Sequence, residues 1–116
     1  MKESTLKQVI RMAISKGMIE RINGSACGTK SCAMEAEWFN GHNEKKLCER
    51  CTNFYFSNGA KIGKEIMERW DELRKSHGEM AAYDIARKQI GLSQDKAWEY
   101  LSIAALEHEV TKKQIT

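Results

Sequence analysis

A mostly α chain with a small β-hairpin and about four helices is predicted by three features of this 116-residue sequence. Apolar residues recur at helical spacing near the N-terminus and over most of residues 60–116. No proline interrupts these stretches. All four cysteines fall in CGTKSCAMEAEWFNGHNEKKLCERC, where the residues between them have turn and hairpin chemistry. A single domain over 1–116 is expected, made of an N-terminal helix (1–23), a cysteine-bearing module (24–59) and a helical region (60–116). A chain this long buries roughly two thirds of its unfolded surface, a modest core that a metal site would help to close.

In the first segment Leu6, Val9, Ile10, Ala13, Ile14 and Met18 follow the i, i+3, i+4, i+7 pattern of an amphipathic helix, with Ser4 or Thr5 as N-cap. Gly17 ends it, or Met18, Ile19 and Ile22 carry a further turn. Asn23-Gly24 opens the cysteine module. Within it, Asn40-Gly41-His42-Asn43 is a turn between Glu37-Trp38-Phe39 and Lys45-Lys46-Leu47, which predicts a short hairpin. A short helix is expected from the second cysteine pair to Asn58-Gly59, with Trp38 packed beneath it against Phe54 or Tyr55. Ile62, Ile66, Trp70 and Leu73 mark the next helix, from Lys61 to His77; Met80, Tyr83, Ala86 and Ile90 mark another, from about Glu79. Ser93 caps a last helix through about Lys112, with either Ala97, Leu101, Ala104, Ala105 and His108 or Trp98, Leu101 and Ala105 facing inward.

Cys27, Cys32, Cys48 and Cys51 are spaced C-x4-C-x15-C-x2-C, two short loops that can each present a pair of thiolates to one ion. Zn²⁺ is the expected occupant, because it accepts tetrahedral sulfur without redox chemistry. Two disulfides, or inert thiols, are the other readings of the same residues. Disulfides require an oxidising compartment. The first 17 residues hold no uninterrupted apolar stretch and no cleavage-site pattern, so an intracellular location is expected, cytoplasmic or, in a eukaryote, nuclear.

The stretch WFNGHNEKKLCERCTNFYFSNG resembles the second half of the GATA-type zinc finger, W-R-R-x-x-x-G-x-x-LCNACGLYYKxNG. Shared are the hairpin Trp38, Leu47 before the third ligand, the C-x2-C pair, Tyr55 with Phe54 beside it, and Asn58-Gly59. The resemblance implies a zinc treble clef over residues 27–59, built from a knuckle, a hairpin and a helix starting at the second cysteine pair, packed with the helices. The family's usual spacing is C-x2-C-x17-C-x2-C; here the first knuckle is longer and the first-to-last distance is the same. The family's DNA-contacting positions fall on Glu49, Asn53, Phe56, Phe39 and Asn40, so recognition of its target sequence is not expected. Lys45, Lys46, Arg50, Lys61 and Lys64 offer a different backbone-contacting surface.

A second likeness lies at 79–107. DIARKQIGLSQDKAWEYLSIA resembles a helix-turn-helix, with Ala86 and Ala97 as the small packing residues and Gly91 at the turn, although Ala86 and Gly91 are one residue further apart than the common pattern. The first helix of such a pair would be followed by a reading helix that opens Gln94, Asp95, Lys96; a plain helical hairpin is the other reading. Net charge is +3, and residues 1–26 alone carry +3, which marks the N-terminal helix as the most basic element.

LCERCTN is also similar to the second knuckle of HNH-type nucleases, but 15 residues between the cysteine pairs hardly hold that chemistry. Four thiolates close the coordination shell, which leaves no activated water. His42 is expected in the hairpin turn, and His77 and His108 on the surface near helix ends. No phosphate loop or serine-nucleophile motif is present, and no apolar run approaches membrane length. The expected function is therefore non-enzymatic: a zinc-finger nucleic-acid-binding protein, with DNA as partner and transcriptional regulation as role, and with no membrane partner or small-molecule substrate. A protein-interaction adaptor or inhibitor on the same scaffold is the alternative, with exposed Phe39 and Phe56 as its first interface candidates.

Overall fold

The computed structural model describes the backbone of residues 1–30 and 32–115 and the side chains of residues 1–30 and 32–112. In chain order the elements are α1 (Glu3–Ser15), β1 (Ile19–Ala26), β2 (Glu35–Asn40), β3 (Lys45–Leu47), α2 (Glu49–His77), α3 (Glu79–Ile90) and α4 (Gln94–Ile115). Helix accounts for 66% of the chain, so the mostly α expectation holds, with one small antiparallel sheet ordered β1-β2-β3. Two units emerge: Met1–Ser57 with the C-terminal residues from Val110, and Asn58–Glu109. Helix α2 contributes residues to both.

In the first unit α1 buries Thr5, Val9 and Ala13 along one face. Its N-cap is Lys2 without a side-chain cap, so the helix starts before Ser4 and Thr5. Gly17, at φ +75°, stops it: its N–H donates to the Ile14 carbonyl and that of Met18 to the Ala13 carbonyl, the paired bonds of a left-handed C-terminal cap. The N-terminal helix therefore does not extend to residue 23. Ile19–Ala26 forms a strand instead, pairing Ile19 with Asn40 and Ala26 with Glu35. Its register shifts between Arg21 and Ser25, where Gly24 takes φ +71°. That irregularity explains the misreading, because it breaks the alternation by which a strand shows itself and leaves Ile19 and Ile22 at a helix-like spacing.

The predicted hairpin is present. Trp38 lies opposite Leu47 and Asn40 opposite Lys45. Two asparagines organise the turn: Asn40 Oδ1 accepts from the His42 N–H at 2.9 Å and Asn43 Oδ1 from the Lys45 N–H at 3.0 Å. Trp38 is half-buried with the Arg21 guanidinium 5.3 Å from its ring centroid, and Phe54 is 69% exposed. Tyr55 packs against the cysteines and meets Phe56 edge-on. Phe56 is fully buried and Phe39 half-buried, which removes Phe56 as an exposed interface residue.

The second unit is built on Ile66, Tyr83, Ala86, Ala97 and Leu101, flanked by Ile62, Trp70, Leu73, Ile90, Leu92 and Tyr100. These are the predicted stripes, with α4 in the Ala97 register through Leu101 and Ala104; Ala105, expected inward in either register, is exposed, as are Trp98, at 62%, and His108. Met80 is also outside, 72% exposed. Gly91, at φ +87°, ends α3, and Ser93 Oγ accepts the Lys96 N–H at 3.2 Å as the N-cap of α4.

Asn58-Gly59 does not stop a helix, for α2 runs unbroken through 29 residues. The two interior glycines serve packing. A Cβ on Gly59 would stand 2.6 Å from Ile103 Cδ1, and one on Gly63 would overlap the Tyr100 carbonyl oxygen and lie 2.7 Å from Ala104 Cβ. Helices α2 and α4 thus approach so closely that no β-carbon fits, backbone against backbone at Gly63 and backbone against side chain at Gly59. Gly63→Ala gains roughly 1 kcal/mol of helix propensity but forces an overlap with backbone that costs about 1–3 kcal/mol. A lowered urea midpoint is expected for Gly63→Ala, and a smaller loss for Gly59→Ala, whose obstacle is the end of a flexible side chain. A Gly63→Ala protein at least as stable as the parent would contradict this packing.

Candidate metal centre

Strand ends and a helix start converge on four sulfurs. Cys27 follows β1, Cys48 follows β3, and Cys51 lies in the first turn of α2. The knuckle between Cys27 and Cys32 is tied to the sheet, since the Gly28 N–H donates to the Lys46 carbonyl at 2.6 Å and the Cys27 N–H to the Met34 carbonyl at 2.9 Å. A Cβ on Gly28 would sit 3.2 Å from the Lys46 oxygen, a tight fit against backbone that glycine avoids. The Cys32 N–H closes the loop on the Thr29 carbonyl at 3.1 Å.

All four cysteines are free, and their sulfurs lie within 4.8 Å of one another. Cys32 Sγ stands 3.8 Å from Cys48 Sγ and 3.9 Å from Cys51 Sγ. A tetrahedron of sulfurs around one ion at Zn–S bond length has edges of about 3.8 Å. The four residues predicted from spacing are therefore brought together, and they can hold a metal ion. His42 is exposed in the hairpin turn and is not one of the group.

The surrounding dipoles suit anionic sulfur. Cys48 occupies the N-cap position of α2: its carbonyl accepts the Thr52 N–H at 2.9 Å, and its Sγ accepts the Cys51 N–H at 3.4 Å. Cys27 Sγ accepts the Cys48 N–H at 3.4 Å. Burial works to raise the Cys27 thiol, but that amide and hydrogen bonds from Thr29 and Cys32 outweigh it and bring it down to about 6. At Cys51 the Thr29 hydroxyl favours the thiolate, yet burial and the sulfurs of Cys48, Cys27 and Cys32 push it up to about 11. Thr29 thus touches the ionisation of two ligands. Its only trace in the sequence is a hydroxyl residue inside the first knuckle.

The basic residues separate into two groups. Lys45, Lys46 and Arg50 are exposed in the same unit as the cysteines, and none of them forms an ion pair among the described residues. Lys46 Nζ reaches only Ser25 Oγ, at 3.3 Å. Lys61 and Lys64 fall in the second unit, and Lys64 is engaged by the carboxylate of Glu107, a buried residue, at 2.6 Å. In the segment that resembles a helix-turn-helix, Ala86 and Ala97 are fully buried, while Gln94, Asp95 and Lys96 are exposed. Comparison with protein-family models, with characterised proteins and with solved structures finds no match to this chain.

One equivalent of metal per chain is expected from elemental analysis of protein purified under reducing conditions. Ligand thiols must lose their protons to bind, so acidification should release the metal and alkalinisation restore it. Cys48→Ser should abolish stoichiometric binding and unfold residues 24–59. Full metal content in that variant would show that the four-sulfur site is not the one occupied.

Proposed function

We propose that a Zn²⁺ ion held by Cys27, Cys32, Cys48 and Cys51 closes a structural, treble-clef-like module whose exposed cations bind nucleic acid. Four thiolates complete a tetrahedral shell, so the metal's role here is to hold the knuckle, hairpin and helix together. The arrangement of those three elements is what the likeness to the GATA-type finger implies. The observation that carries the binding reading is the set Lys45, Lys46 and Arg50: three exposed cations beside the metal centre with no acidic partner among the described residues. Phe54 lies four residues after Arg50 on α2 and is 69% exposed, so an apolar face stands one helical turn from that cation.

Such contacts read the phosphate backbone, since Glu49 and Asn53 stand where the GATA family has base-contacting or backbone-contacting residues. Duplex DNA is the proposed ligand and transcriptional regulation the proposed role. A protein-interaction adaptor is the second reading. It is favoured by the exposure of Met34, at 60%, near the same module as Phe54 and by the net charge of zero over residues 27–59.

Salt dependence separates the two. Affinity for random-sequence duplex should fall linearly on a log–log plot against salt, and replacing Lys45, Lys46 and Arg50 together by Ala should reduce the slope by about 3. An unchanged slope, or no duplex binding by the parent protein at low salt, would reject the nucleic-acid reading. Loss of a captured protein partner on Phe54→Ala would then support the adaptor.

A further inference from the structure

The second unit contains a cavity of about 370 Å³ lined by Trp70, Met80, Tyr83, Gln94, Asp95 and Trp98. Its size lies in the range of small-ligand sites. Three of its walls are aromatic rings set at steep angles. Trp70 and Tyr83 have centroids 5.2 Å apart with planes inclined by 53°, and Tyr83 and Trp98 are 6.5 Å apart at 85°.

The polar edges of the two inner rings are already committed. The Trp70 indole N–H donates to the Glu79 carbonyl at 3.1 Å, and the Tyr83 hydroxyl donates to the Gln94 carbonyl at 3.1 Å. Those bonds fix the rings, so a ligand meets π faces more than hydrogen-bonding groups. Trp98 and Met80 are, at 62% and 72%, among the most exposed large apolar residues described, and both border this one cavity. Their position there gives a use to two side chains that the core does not bury.

Charge decides what kind of ligand fits. Asp95 lines the cavity and has no basic partner among the described residues. Its neighbour Lys96 is turned to Glu99, at 3.2 Å, and to the Tyr100 ring. The Arg74 guanidinium sits 5.1 Å from the Trp70 centroid and 3.5 Å from Asp71, so a cation already rests on that indole with its charge balanced elsewhere. Aromatic faces attract cations through the ring quadrupole, most strongly when the cation sheds its water easily. A primary ammonium does not, and this cavity offers only Asp95 and Gln94 to replace its hydration. An alkylated ammonium has diffuse charge and a weak hydration shell.

We propose that the cavity bounded by Trp70, Tyr83 and Trp98, with Asp95 as counter-ion, binds an alkylated ammonium group. That chemistry reaches a protein in two forms, as a small quaternary ammonium compound or as a methylated lysine side chain of another chain. The site lies wholly within the second unit, and it is independent of the metal module and of its proposed ligand.

The test uses the full-length, metal-loaded protein at constant ionic strength, followed by tryptophan fluorescence and calorimetry. Probes are tetramethylammonium, choline, the neutral carbon isostere of choline, and a peptide with trimethyl-lysine beside its unmodified counterpart. Choline should bind about tenfold more tightly than its neutral isostere. Asp95→Asn should weaken choline about fivefold without affecting the isostere. Trp98→Ala should abolish the preference for charge while leaving the circular dichroism unchanged, as this ring is 62% exposed and meets the core only through its edge-on contact with Tyr83. Tighter binding of the trimethyl-lysine peptide than of choline and of the unmodified peptide identifies a protein-borne ligand; the reverse order identifies a free one. Equal binding of choline and isostere, or no binding of any cation, overturns the proposal.

Discussion

Four sulfurs held within 4.8 Å of one another are the constraint on which the first unit depends. Two unit charges about 4 Å apart repel by roughly 4 kcal/mol at an effective protein dielectric of 20, and four thiolates make that repulsion several times over. A set of thiolates this close is stable only around a cation. Otherwise some sulfurs keep their protons, as the contrast between Cys27, at about 6, and Cys51, at about 11, indicates. Three short strands and one helix start cannot bury enough apolar surface to fix such a geometry alone. The end of β1, the end of β3 and the start of α2 therefore share a single anchoring point, and the amides of Cys48 and Cys51 aim at it.

Much of this is legible in the amino-acid sequence. Cysteine spacing picked out the four residues whose sulfurs converge, because two closely spaced pairs can be presented by two short loops. Asn40 and Asn43 found the hairpin because their side chains hydrogen-bond the backbone two residues on. The stripes of Ile62, Ile66, Tyr83, Ala86, Ala97 and Leu101 found the second core through their helical period. What was misread has a physical cause in each case. Strand β1 hides behind a register shift that destroys its alternation, and Gly59 looks like punctuation when its missing side chain serves a close helix approach. Lys64 reads as a solvent cation until its distant partner Glu107, 43 residues later, is brought beside it. Thr29 carries no pattern at all, and the helical stripe that offers Trp98 to the core is not the one the structure buries.

The two units differ in what they expose. The first presents Lys45, Lys46 and Arg50 together with Met34 and Phe54 around the sulfur cluster. The second pairs off most of its charges, Arg69 with Glu65, Arg87 with Asp84 and Lys96 with Glu99, and leaves aromatic faces with one carboxylate at its cavity. The exposed pair, Arg69 with Glu65, adds little stability, while Glu99 is buried in its pair with Lys96. The effect of these pairs is to quiet the surface electrostatically, so that the unpaired groups dominate the local field. Long-range attraction of a polyanion would be felt at the first unit, and short-range capture of a soft cation at the second.

Gly63 has a further meaning for how this sequence can diverge. Every side chain larger than hydrogen collides there with a backbone carbonyl, which unlike a side chain cannot move into a new rotamer. Surface positions on α2 are free to drift, and core positions can exchange one apolar residue for another of similar volume. Position 63 has no such alternative while Tyr100 and Ala104 keep their places. A distant relative that had lost most recognisable similarity would still be marked by a glycine at that site in its long helix, twelve residues beyond the last cysteine of the cluster.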